Sequence, residues 1–164
     1  MALNQTTSGQ VQRVQVGDHA PDFVLPDKNG QPVRLSDVLR TGPVVLYFYP
    51  KDDTPGCTAE ACSFRDNYED FQAAGATVIG VSMDTAASHE AFANRYTLPF
   101  TLLSDNDGAV QRLYSVKGLF GLMRGRETFV IDRQGIVRCR FSSMLNVTRH
   151  ASEALQVLQA LPLA

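Results

Sequence analysis

Two of the chain's three cysteines, Cys57 and Cys62, stand five positions apart in YPKDDTPGCTAEAC, residues 49–62, just after Thr54, Pro55 and Gly56. That spacing fits neither a redox CxxC pair nor the usual zinc knuckle. An odd cysteine count argues against a disulfide-stapled secreted scaffold and leaves reactive or buried thiols. The chemistry open to a reactive thiol is nucleophilic, and the thiolate is the attacking form. An ordinary thiol, with a pKa of about 8.5, is only a few per cent ionised at pH 7. Lowering such a pKa to about 6 takes roughly 3.4 kcal/mol, at about 1.36 kcal/mol per unit. A helix N-terminus supplies up to about 2 kcal/mol through its dipole, and the remainder calls for a cation. Gly56 allows close approach of a ligand to the backbone. Thr54 offers a hydroxyl that can donate to a thiolate or an oxygen. Asp52 and Asp53 oppose a thiolate unless they are solvated and point away, the commoner fate of such residues.

Positioning falls to the helix that this run opens. A helix is predicted from about Cys57 to Ala74, ending at Gly75. At about 100° per residue, Cys57, Ala61, Phe64, Tyr68 and Phe71 share one stripe, which should face a sheet. Cys57 opens that stripe in the first turn, among the free N–H groups of the helix end. Cys62 lies about 140° away on the same wheel, beside Asp66, Glu69 and Asp70. A free cysteine is most often a small core hydrophobe. Cys62, off the core stripe, does not fit that reading, and at Cys57 the helix-start position weighs against it.

Around this helix the sequence alternates strand and helix. DFVLPDKNGQPVR, 22–34, reads as two short strands turning at Lys28-Asn29-Gly30, and Ser36 is placed to cap a short helical turn. VVLYFYP, 44–50, is a continuous apolar run, as expected of a strand covered on both faces. ATVIGVSMD (76–84) and FTLLSD (100–105) are further strands, the latter ending at a helix cap in Ser104-Asp105. SHEAFANRY (88–96), DGAVQRLYSV (107–116) and RHASEALQVLQAL (149–161) read as helices. KGLFGLMRG, 117–125, reads as a loop, and ETFVIDRQGIVRCRFSS as a hairpin turning at Arg133-Gln134-Gly135. The result is an α/β layer structure. The start of the cysteine-bearing helix falls at the carboxyl edge of strand 44–50, where sites form in open α/β sheets.

Bulk properties narrow the class. The chain has 164 residues, 44% apolar and 20% charged, with a net charge of −2. That suits one domain with a real core; residues 1–14 are expected as a flexible tail and 15–164 as the domain. Lys and Arg form no long run, so nothing points to nucleic acid or an anionic membrane. No apolar run approaches the length of a membrane span. The N-terminus has no apolar signal region, and a cytoplasmic location is expected.

The residues also resemble a known family. Pro50-x-x-x-Thr54-x-x-Cys57 matches the active-site motif of the peroxiredoxins. YFYPKDDTPGCTAEAC is similar to the bacterioferritin-comigratory-protein/PrxQ subfamily, in which a second cysteine follows five residues after the first. The likeness covers nearly the whole chain, through APDFVLPDKNGQPVRLSD, FTLLSD and GRETFVID. The short connection LFGLMRGRETFVID looks more like plant and cyanobacterial members than enteric ones. The resemblance implies a thioredoxin-like fold with an N-terminal β-hairpin extension and a thiol peroxidase activity. It implies Cys57 as the peroxidatic cysteine and Cys62 as the resolving one, joined in a disulfide during turnover. Arg126 would supply the cation, and Glu60 would orient it. Pro50 would shield the site, and Thr54 with the Cys57 amide would bind the peroxide oxygens. A peroxide substrate and a thioredoxin or similar dithiol reductant are the implied partners, with no metal or organic cofactor and a monomeric chain.

Other chemistry-bearing residues have plainer readings. Alternation along IVRCRF puts Val137, Cys139 and Phe141 on one face. Cys139 is expected as a buried strand cysteine, with a role as an alternative resolving thiol the lesser reading. Arg124 is read as a solvated loop charge. His19, His89 and His150 lack ligand spacing and are assigned no catalytic role; His89 is placed on a helix flank. Two other functions stay open: a redox switch or chaperone-like interaction protein using the same disulfide, and a metal module on Cys57 and Cys62, which lacks two further ligands.

Overall fold

In the computed structural model, residues 13–117 and 125–162 are described. The run 44–50 forms the central strand, β3 (Val44–Phe48), buried at every position. Its side chains alternate between two cores. Val45 and Tyr47 enter one, and Val44, Leu46 and Phe48 enter the other. Ahead of it, β1 (Val24–Pro26) and β2 (Pro32–Arg34) pair as the expected hairpin, and α1 (Leu35–Leu39) follows. Ser36 does not cap α1. It lies inside the helix, where its amide and hydroxyl both donate to the Asp22 carboxylate, so the cap comes from outside the segment.

The predicted helix 57–74 is two helices, α2 (Pro55–Asp66) and α3 (Tyr68–Ala73). Proline at the first position is preset for a helix start, which moves the beginning two residues earlier than expected. The break falls at Asn67, whose φ/ψ is −101/11 and whose side-chain amide donates to the Ser63 carbonyl. An asparagine that bonds its own backbone offers the chain an alternative to the helix. The apolar stripe survives the break, because Cys57, Ala61, Phe64 and Phe71 are all buried and Tyr68 half-buried.

The remaining elements follow the reading: β4 (Thr77–Ser82), α4 (Ala86–Tyr96), β5 (Thr101–Ser104), α5 (Ala109–Leu113), β6 (Glu127–Ile131), β7 (Val137–Ser142) and α6 (Arg149–Ala160). Asp105 caps α5 by accepting from the Val110 and Gln111 amides. The sheet order is β5-β4-β3-β6-β7, with β3, β4 and β5 parallel and β6 and β7 antiparallel. Residues of α2, α3, α4 and α6 bury one face; α1, α5, the hairpin and Val14 bury the other. Of the tail placed at 1–14, residues 1–12 lie outside the described residues, and Val14 is packed at 6% exposure. Most of the 117–125 loop, including Arg124, also lies outside them.

One alternation fails. The pairing Val130↔Cys139 and Ile131↔Val137 skips Arg138, a bulge. An extra residue reverses which face the chain presents. Val137 therefore joins the α1 core, while Cys139, half-buried rather than fully buried, packs against the opposite one.

Candidate active site

The pairing of β3 with β6 sets Phe48 opposite Glu127. Arg126, one residue before β6, therefore lies at the carboxyl end of β3, where α2 begins. Its guanidinium Nη2 donates to Cys57 Sγ at 3.3 Å, and Nη1 donates to Glu60 Oε1 at 2.8 Å. All three residues are buried, at 1% for Cys57, 0% for Glu60 and 5% for Arg126. Gly56 leaves room for this approach, since a Cβ there would lie 3.1 Å from Arg126 Nη2, tighter than ordinary contact. The first intrahelical bond runs from the Thr58 amide to the Thr54 carbonyl. The Gly56 and Cys57 amides thus precede the ladder, at the positive end of the helix. The Thr54 hydroxyl donates to the Lys51 carbonyl at 2.9 Å. Pro50 is half-buried at the end of the strand run. Cys62 is half-buried further along the same unbroken helix, and all three cysteines are free thiols.

The charges in this cluster compete. Burial pushes the Glu60 carboxyl up to about 8, against the pull of Arg126. Burial also disfavours the Arg126 cation, but the charges of Glu60 and Cys57 and its bonds to both outweigh that and hold it above its usual value. Arg126 therefore keeps its positive charge against the sulfur. A fixed cation in contact with a thiol favours the thiolate.

Sequence reasoning missed two histidines. His150, fully buried at the start of α6, places Nδ1 2.8 Å from the Thr128 hydroxyl and 3.6 Å from Glu60 Oε2. Its Nε2 donates to the Ser143 carbonyl at 2.8 Å, which fixes Nδ1 as the acceptor for Thr128. His89 is also fully buried, against Asp52. Asp52 is not solvated as expected; it is 6% exposed and accepts from Tyr49 and Ser88 as well. The signal was present in the spacing. His150, Ala154 and Leu158, and likewise His89, Phe92 and Ala93, fall on the apolar stripes of their helices.

Burial, joined by the Arg126 charge, pulls His150 down to about 4 against the opposing bond to Ser143. A folded value below the ordinary one means that the folded state binds fewer protons. His150's contribution is then complete above about pH 6.5 and is lost as the pH falls through about 4. Urea unfolding midpoints should therefore fall between about pH 7 and pH 4 more steeply for the wild type than for His150→Gln, with the difference capped at roughly 3 kcal/mol. Equal falls would show that His150 titrates as it does in the unfolded chain.

The chain is similar to known proteins in sequence and in fold. Residues 16–140 match the model of the AhpC/TSA family. The chain is 50% identical over 149 residues to the chloroplastic peroxiredoxin Q of Arabidopsis thaliana, covering 90% of this chain and 68% of that protein. It is 48% identical to that of Sedum lineare, covering 91% and 80%. Among solved structures, it is similar to the peroxidoxin BcpB of Mycobacterium tuberculosis, with a TM-score of 0.85 and 42% identity over 92% of this chain and 99% of that one. It is also similar to the peroxiredoxin Q of Xanthomonas campestris, with a TM-score of 0.78 and 32% identity over 90% and 96%. These likenesses bear out the thioredoxin-like fold class. With a buried cysteine at a helix start under an arginine, and with these relatives, the chain belongs to the AhpC/TSA family, in its peroxiredoxin Q branch.

Proposed function

We propose that the chain reduces hydrogen peroxide and organic hydroperoxides through Cys57 and is recycled by a thioredoxin-type dithiol. The observation that carries this is the Arg126 guanidinium on Cys57 Sγ at the first turn of α2. The thiolate sulfur attacks one peroxide oxygen, the O–O bond breaks, and the electron pair leaves on the other oxygen, which takes a proton to become water or an alcohol. Cys57 is left as a sulfenic acid. Donors aimed at the leaving oxygen lower the barrier; the amides at the start of α2 are in place as donors, and the Thr54 hydroxyl, which donates to Lys51, can accept from a peroxide O–H. Cys62 then displaces hydroxide from the sulfenic acid, giving a disulfide and water, and the external dithiol reduces that bond.

Two further observations bear on the substrate. Alkyl peroxide reduction activity is described for the Xanthomonas campestris bacterioferritin comigratory protein, 31% identical to this chain. Val147 lies 3.7 Å from the position a Cβ on Gly56 would take, in a loop that also exposes Leu145 at 91%. That loop offers an alkyl group apolar contact beside the sulfur. The odd cysteine count suits a reducing compartment such as the cytoplasm, and the chain is read as acting as a monomer.

The test is peroxide consumption with thioredoxin as reductant, comparing the wild type with Arg126→Ala. A hydrogen bond to a charged partner is worth about 1.5–3 kcal/mol, so the variant should be about 10- to 100-fold slower. Iodoacetamide should alkylate Cys57 more slowly at neutral pH in the same variant. No consumption above background by the wild type would reject the activity, and equal rates in the two would reject the role of Arg126.

A further inference from the structure

The turn that delivers the chain from β3 to α2 is tied to α4 at two successive residues. Asp52, its side chain 3% exposed, is held on every side. Its Oδ1 accepts from the Tyr49 hydroxyl at 2.6 Å, and its Oδ2 accepts from Ser88 Oγ at 2.8 Å. His89 Nδ1 lies 2.7 Å from the same Oδ2. His89 Nε2 faces the Leu103 carbonyl at 3.0 Å and must donate to it. The Asp52–His89 contact is therefore a proton-bearing bond anchored to β5. The Asp52 amide donates to Asp84 Oδ2 at 2.9 Å, and Ser82 Oγ donates to that oxygen at 2.6 Å.

Asp53 stands in the left-handed region, with φ of 58°, which costs a residue with a side chain free energy. Its carboxylate accepts from Arg95 Nη1 at 2.8 Å and from the Tyr96 hydroxyl at 2.9 Å. The Thr54 hydroxyl closes the turn on Lys51. None of these bonds reaches Cys57, Glu60 or Arg126. The network fixes position, separately from the charges that act on the sulfur.

We propose that Ser88, His89, Arg95 and Tyr96 of α4 are positioning residues, which hold Asp52 and Asp53 so that Thr54 and the first turn of α2 stay in register around a peroxide on Cys57. The proposal rests on Cys57 being the peroxide-reacting thiol. A strained turn anchored by convergent bonds to one buried carboxylate is the arrangement expected where geometry must be held to a fraction of an ångström. The clamp also gives α2 a fixed upstream end.

The experiment uses the reduced full chain and three variants: Asp52→Ala, Asp52→Asn, and the double variant Arg95→Met with Tyr96→Phe. The double variant acts at exposed Asp53 and keeps the test open should Asp52→Ala fail to fold. Three rates are read: amide exchange over residues 51–58, Cys57 oxidation by hydrogen peroxide, and Cys57 alkylation by iodoacetamide. In Asp52→Ala and the double variant, exchange should rise and peroxide oxidation fall, each by about tenfold or more, while alkylation stays within about threefold. Asp52→Asn can keep bonds to Tyr49 and to a neutral His89, and it should recover most of the peroxide rate. The proposal is overturned by unchanged exchange and peroxide rates in the folded double variant, or by alkylation and oxidation falling together. If the wild type does not react with peroxide, the functional reading fails on its own; faster exchange in the variants then still supports the clamp, and unchanged exchange overturns it.

Discussion

Cys57→Ser should abolish peroxide reduction, a loss of at least about a thousandfold, while Cys139→Ser should leave it nearly intact. Serine keeps the shape of the site but not its chemistry. A hydroxyl does not ionise appreciably near neutral pH even beside a cation, and oxygen has no counterpart to the sulfenic acid. The contrast with Cys139 follows from where each thiol sits. Cys57 touches Arg126 at a helix start. Cys139 lies on β7, where burial and then the nearby Glu153 charge push its thiol up, away from the thiolate. Stopped-flow peroxide consumption, with trapping of the sulfenic acid on Cys57, reads both variants. Rapid turnover by Cys57→Ser would assign the nucleophile elsewhere, and a collapse in Cys139→Ser would bring β7 into the cycle.

What the sequence made legible was local. The run 44–50 read as a doubly covered strand because every residue in it is apolar or aromatic, and β3 is buried throughout. Cys57 read as a helix-start thiol because Thr54, Pro55 and Gly56 punctuate the chain just before it. Periodicity alone did not bring Arg126 to Cys57. That contact spans 69 residues and depends on the antiparallel register that sets Phe48 opposite Glu127. Only the resemblance of GRETFVID to the family motif named it beforehand. Asp52 was misread for the same reason. Its partners are Tyr49 nearby but also Ser88 and His89, 36 and 37 residues away, and an average preference of aspartate for solvent cannot see them. The split at Asn67 and the bulge at Arg138 are one-residue departures. They reverse or interrupt a period without changing the composition on either side.

Formation of a Cys57–Cys62 disulfide should unwind the first turns of α2. On a regular helix, residues five apart have Cα atoms roughly 8–9 Å apart, whereas a disulfide needs them within about 7 Å. The side chains also diverge by about 140°. In this structure both thiols are free and α2 runs unbroken from Pro55 to Asp66, so the present state is the helical one. Unwinding has a definite cost. It separates Cys57 from Arg126, releases Glu60 from its 2.8 Å bond to the same guanidinium, and exposes Ala61. Ala59, Glu60 and Ala61 also favour helix intrinsically. The movement is bounded downstream by Phe64 and Phe71, both fully buried. The covalent bond must offset these losses, and while it forms slowly a second peroxide can over-oxidise the sulfenic acid. Amide exchange over residues 56–63 should therefore rise on oxidation by about a hundredfold or more, as expected when a packed turn opens locally. It should stay low in reduced Cys62→Ser, which cannot form the bond and should accumulate over-oxidised Cys57 under excess peroxide. Equal protection of 56–63 in the two redox states would refute the unwinding step and leave Cys62 without a path to the sulfenic acid.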